Sequence, residues 1–183
     1  MMRRRHGVIQ YVLAAPGSGK TTVAPLLRAL LPGSVVLDWD AFMGPAAALA
    51  GVAIPQAPQT WTDYERLVRT VVEQIRPVDI VLLGVCTPRQ LCGWPDGQWL
   101  LLDCADGERR TRLARRGHAA AAEDAVADAA AYRSLDLPIL DSTGLDPRQV
   151  ARALLDMIDP AFTGPPRSAD PAGDEGDRLG SLG

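Results

Sequence analysis

The sequence predicts an α/β fold in which one parallel sheet carries helices on both faces. Three observations lead there. Short runs rich in β-branched residues recur along the chain without regular polar alternation, the pattern of strands buried on both sides. Segments with three- and four-residue apolar spacing separate them, and strands alternating with helices pair in parallel. A glycine turn joins the first run directly to a helical pattern, and in such sheets ligands sit at the carboxyl ends of strands. A chain of 183 residues with a net charge of -3 suits one domain that buries roughly 70% of its unfolded surface. It lacks the basic balance of a dedicated nucleic-acid binder.

The first run, Val8–Ala14, passes into "PGSGKTT". Against the template G-x-x-x-x-G-K-[ST], Ala14 stands in the first glycine position and Gly19, Lys20 and Thr21 fill the rest. Gly17 and Gly19 permit the tight backbone that turns N–H groups inward. The helix starting there adds roughly +0.5 of partial charge toward the same anion. Lys20 is the only lysine in the chain; a compact ammonium follows β- and γ-phosphates into a loop that a planar guanidinium does not fit. Thr21 offers a hydroxyl to Mg²⁺. The expected nucleotide-binding residues are therefore Pro16, Gly17, Ser18, Gly19, Lys20, Thr21 and Thr22, with ATP and Mg²⁺ as the expected cofactors; the plain alternative is a glycine turn beside an exposed lysine. Pro25 removes one backbone bond from the following helix and is expected to kink it.

The second run, Ser34–Leu37, leads into "DWDAF". Alternation with period two points Asp38 and Asp40 the same way, so that one carboxylate can hold a magnesium water shell while the other accepts the proton of an attacking hydroxyl. Asp40 is assigned as the base and Asp38 to the metal; the alternative is that one caps the next helical turn. Gly44–Trp61 contains three prolines and little periodicity, and is expected to be a mobile loop or a substrate-facing insertion. In "TDYERLVRTVVEQI", Tyr64, Leu67, Val68, Val71 and Ile75 share one helix face, and Thr62 with Glu65 resembles a capping box.

Asp79–Val85 is the third strand and Trp99–Asp103 the fourth, with Pro88–Gly97 too short for a full helix between them. In "CADGERRTRLARRGH", Arg112 and Arg116 are four residues apart and share a helix face, with Arg109 able to join them around one anion; a solvated arginine face is the alternative. Leu137–Thr143 is the fifth strand. Asp146 suits an N-cap, Pro147 the first helical position, and Val150, Leu154 and Ile158 a buried stripe. From Pro160 the composition turns to Pro, Gly, Ser and Asp, so residues 160–183 are expected to be a disordered tail and residues 1–159 the folded domain.

The order of strand, "PGSGKTT", helix, strand ending in "DWD", apolar strand and arginine helix resembles the P-loop small-molecule kinases, the group around shikimate, gluconate, nucleotide and chloramphenicol kinases. The resemblance covers Val8 to about Ile158. It implies a five-stranded sheet of order 2-3-1-4-5, transfer of the γ-phosphate of ATP to a small-molecule hydroxyl, and Asp40 as the residue acting on that hydroxyl. It also implies a lid, at about residues 105–133, whose "RLxxRG" pattern is met by Arg112, Leu113, Arg116 and Gly117. Lys20, Asp40, Arg112 and Arg116 are then the expected catalytic residues, Arg109, Thr143 and Gly144 join the nucleotide contacts, and Thr21 and Asp38 hold the metal. Thr143 and Gly144 sit where the family's adenine-contacting loop lies. The third strand ends in Gly-Val-Cys, where many relatives carry an acidic residue.

The other class of function compatible with the sequence is a nucleotide-binding module that regulates a protein partner. Cys86, Cys92 and Cys104 lack paired spacing, which fits reduced thiols and a cytoplasmic location. The start "MMRRRHGVIQYVLAAPG" imitates a signal peptide, but cleavage there would sever the first strand from its glycine loop. No stretch approaches the roughly 20 apolar residues of a membrane span. Trp39, Phe42, Trp61 and Trp94 are candidates to stack on an acceptor or to fill the core.

Overall fold

Among the described residues five short strands, β1 (Ile9–Leu13), β2 (Val35–Asp38), β3 (Ile80–Gly84), β4 (Gln98–Asp103) and β5 (Ile139–Asp141), pair in parallel in the order β2-β3-β1-β4-β5. This is the predicted order. The structure is a computed structural model and describes residues 7–158; the expected tail at 160–183 lies outside the described residues. The described residues also form six α-helices, five of them between strands and the last after β5: α1 (Lys20–Leu30), α2 (Met43–Ala50), α3 (Trp61–Gln74), α4 (Asp106–Arg115), α5 (Ala122–Arg133) and α6 (Pro147–Met157).

The central strands bury both faces because their neighbours do. On β3, Val81 and Leu83 pack against α1 and α6 through Val23, Leu27, Val150 and Leu154. Ile80 and Leu82 point the other way, toward Tyr64, Val68 and Val72 of α3. On β1, Leu13 meets Leu101 and, from α5, Ala129 and Tyr132. The result is three layers, helices on both sides of a sheet whose every interior strand is apolar front and back. β2 and β5 are the edge strands, and Ile139 of β5 is 47% exposed.

Helix ends follow local chemistry. Asp146 caps α6 by accepting from the backbone N–H groups of Arg148 and Gln149, and the Gln149 side chain returns a bond to the Asp146 N–H. The Asp146 N-cap was expected from the sequence, and the return bond from Gln149 completes a capping box. The one expected at Thr62 is absent: α3 starts at Trp61, with Thr60 before it making no side-chain cap, and Glu65 instead accepts from Trp94 Nε1 at 3.0 Å. The α3 stripe also rotates, burying Tyr64, Val68 and Val72 while Leu67 is 40% exposed. Gly44–Trp61 is more ordered than expected. It forms α2 and two 3-10 turns, Ile54–Gln56 and Pro58–Thr60, anchored by buried Ala46, Ile54 and Ala57. Alanine-rich sequence is helical despite weak amphipathicity, because Ala has the highest helix propensity. Residues 88–97 form turns with no regular helix, as their length required.

Candidate active site

At the carboxyl end of β1 the chain enters the loop Ala14–Gly19. Ala14 donates its N–H to Gly84 O at 2.8 Å and is fully buried. Among the described residues only Asp136 combines a side chain with positive φ, so the first template position is met here without glycine's freedom. Gly17 and Gly19 do need it, at φ 82° and 104°. A Cβ on Gly17 would also lie 2.9 Å from Arg109 Cγ, so the packing beneath the loop excludes a side chain as well. Ser18 Oγ is buried without a partner. A buried hydroxyl with nothing to bond is costly, and at a helix N-terminus lined by glycine amides the group that satisfies it is an anion. The residues present therefore fit a nucleotide phosphate.

Lys20 begins α1, is 7% exposed, and places Nζ 2.8 Å from Asp40 Oδ2. The two carboxylates of "DWD" come together differently from the alternation argument. The strand stops at Asp38 and a 3-10 turn, Trp39–Phe42, follows. Asp38 Oδ1 caps that turn by accepting from Asp40 N at 3.1 Å, and the Thr21 hydroxyl lies beside the same carboxylate. Burial raises the Asp38 pKa, the Asp40 charge raises it further, and the Asp40 N–H, Lys20 and Thr21 pull it back. Thr21 and Asp38 are thus adjacent, as a shared ion requires. Among the described residues no group of three or more His, Cys, Asp or Glu forms a metal cage. Two oxygen donors fit Mg²⁺ that takes its other ligands from phosphate and water.

The arginines divide their work. Arg112 lies on α4 with its guanidinium clasped to the loop: Nη1 donates to Ser18 O at 3.0 Å and Ser142 Oγ at 3.2 Å, Nη2 to Ser142 O at 3.1 Å, and Glu108 pairs with it. Arg116 Nη2 donates to Thr22 Oγ1 at 3.1 Å from an exposed position. Both line a cleft of ≈ 300 Å³ with Ser18, Gly19, Thr22 and Leu145. Arg109, expected to join them, does not reach the cleft. It is fully buried, donating to Pro16 O at 2.6 Å and Asp103 Oδ1 at 2.5 Å, because its helix position faces the underside of the loop. Thr143 and Gly144 also stand aside. Thr143 Oγ1 accepts from Ala105 N and donates to Asp141, and Gly144 N donates to Glu108 Oε2; the cleft is lined instead by the next residues, Leu145 and Pro147.

Sequence reasoning missed Glu108, Ser142 and Asp103. Glu108 was reachable from its i,i+4 spacing to Arg112. Ser142 and Asp103 have no local signature: Ser142 meets Arg112 only once β5 lies beside β4, and Asp103 meets Arg109 and Arg133 only once α4 and α5 pack beside β4. On the acceptor side, Cys86 follows β3 where no acidic residue stands. Burial, with Glu65 and Asp40 nearby, pushes its thiol up to about 12. Trp39 and Trp94 belong to the core, 5.9 Å apart between ring centroids, while Trp61 is 37% exposed.

The family model described as AAA domain matches residues 11–131, more than half of the chain. No curated protein matches the sequence. Solved structures do. Shikimate kinase from Acinetobacter baumannii in complex with shikimate has a TM-score of 0.60 at 20% identity, covering 84% of this chain and 94% of that one. A tunicamycin resistance protein from Deinococcus radiodurans has 0.62 at 18%, covering 84% and 96%, and a gluconokinase from Sinorhizobium meliloti 0.54 at 15%, covering 88% and 94%. The order β2-β3-β1-β4-β5 agrees with these likenesses, and the chain belongs to the AAA domain family of P-loop proteins, with the fold of the P-loop small-molecule kinases.

Proposed function

We propose that the protein is an ATP-dependent phosphotransferase that phosphorylates a hydroxyl of a small molecule. One observation carries the reading: a carboxylate, Asp40, stands 2.8 Å from the ammonium of the phosphate-loop lysine, at the carboxyl ends of β1 and β2. Phosphoryl transfer is catalysed mostly by positioning and charge, and a carboxylate so near the loop lysine supports reading Asp40 as the proton acceptor. Lys20, Ser18 and the loop amides hold phosphate oxygens. Thr21 and Asp38 hold the ion. Arg112 and Arg116 line the side from which α4 closes on the cleft. Asp40 takes the proton of the acceptor hydroxyl. When bound, the nucleotide supplies the phosphoryl group and leaves as the diphosphate, and magnesium supplies countercharge. Among the described residues no helix is long and apolar enough to cross a membrane, which fits the cytoplasmic location proposed from the cysteines.

The test is a screen of hydroxyl metabolites with ATP, read by mass for an added phosphate, followed by Asp40→Asn on the acceptor found. A general base contributes typically ~10²–10⁴-fold, so transfer should fall by that order. Unchanged transfer in the variant would remove Asp40 from the role, and nucleotide binding with no transfer to any acceptor would favour the regulatory module.

A further inference from the structure

The Lys20–Asp40 pair has a consequence for nucleotide binding itself. Lys20 is the only lysine of the chain, its side chain is 8% exposed, and Asp40 is its one ion-pair partner among the described residues. Asp40 is held in place from behind. Its N–H donates to Asp38 Oδ1 at 3.1 Å, the hydroxyl of Tyr64 is bonded to Trp39 O one residue earlier, and the Trp39 ring is buried against Tyr64 at 5.3 Å. Gly84, under that turn, leaves the Trp39 Cβ 3.1 Å from where its own Cβ would be. The turn that carries the carboxylate is thus fixed on α3, while the ammonium leaves from the first residue of α1. The titratable groups facing the pair are Asp38, Tyr64 and Cys86, with the Thr21 hydroxyl beside Asp38.

A phosphate entering the glycine loop requires the same ammonium. It also brings negative charge to within a few ångströms of Asp40, in a site where like charges repel strongly. Resting on the reading of the loop as a nucleotide site, we infer that Asp40 is a built-in competitor for that site: its carboxylate occupies Lys20 in the nucleotide-free protein, and phosphate binding frees it. The base is then unpaired only when the phosphate is in place. Because coupling free energies are reciprocal, whatever weakens the pair tightens the nucleotide.

Calorimetric titration of the full chain with Mg-ADP and with Mg-ATP separates the possibilities. Asp40→Asn, which keeps shape and removes charge, should bind both about 5- to 10-fold more tightly than the natural protein, the lower range of typical couplings. Asp40→Glu should stay near the natural affinity. In the nucleotide-free state an amine-selective reagent should modify Lys20 faster in Asp40→Asn than in the natural protein, read by peptide mass. Equal or weaker binding by Asp40→Asn, while Lys20→Met loses binding, overturns the competition and leaves the nucleotide site standing. Natural affinity in Lys20→Met overturns both. Asp40→Ser provides the same charge deletion should the Asn side chain disturb the turn, with the same two outcomes.

Discussion

At the scale of single residues, the site is decided by what each carboxylate must live beside. Among the described residues Asp103 is the one ion-pair partner of the fully buried Arg109, and it also accepts from Arg133 Nε at 2.5 Å. Asp103→Asn leaves a buried guanidinium uncompensated and should cost about 3–5 kcal/mol, the usual penalty for breaking a buried pair from one side. Arg109→Met should cost less, since Arg133 still faces Asp103. Denaturant titration of both variants measures the order, and equal losses would remove the asymmetry. Asp38 gives a pH dependence. Its folded pKa is raised, chiefly by burial, so its contribution to stability is present below the ordinary carboxylate value and lost as pH rises through the folded value. Asp38→Asn should flatten that loss and raise the melting temperature of the nucleotide-free protein near neutral pH, in melts run from acid to neutral.

At the scale of elements, what was readable depended on whether the signal was local. The α6 cap is local: Asp146, Pro147 and Gln149 lie within one turn, and the structure repeats the sequence. Asp146→Ala should remove about 1 kcal/mol and lower the melting temperature by about 2–4 °C for a domain of this size; no change would mean that packing of Val150 and Leu154 alone holds the start of α6. The α3 cap looked equally local, yet Glu65 is drawn away by Trp94, 29 positions later. The same rule separates Gly17, whose positive φ was predictable from the loop, from its contact with Arg109, which needs α4 packed beneath it. Helix α2 was obscured because three prolines around an alanine run resemble a loop, although only Pro45 falls inside it.

At the scale of the whole molecule, ligand and fold share one free energy. If the glycine loop is the nucleotide site, Mg-ATP at about 100 times its Kd should stabilise the protein by about 2.7 kcal/mol and raise its melting temperature by about 5–10 °C, and Lys20→Met should abolish the rise. A shift retained in Lys20→Met would locate the nucleotide elsewhere. The sequence alone determined the strands, because runs apolar on both faces are stable only between two helix layers. It also determined the loop, because glycine, lysine and threonine at fixed spacing act through their own backbone. Which arginine faces the cleft was decided only by tertiary structure: Arg109, Arg112 and Arg116 lie at three- and four-residue steps along α4 and its C-cap, and packing against the loop sends the first beneath it and leaves the others at its rim. The pairing of Lys20 with Asp40 was decided there too. It exists because β3 lies between β1 and β2 and carries two distant segments to one edge, a distance no local pattern encodes.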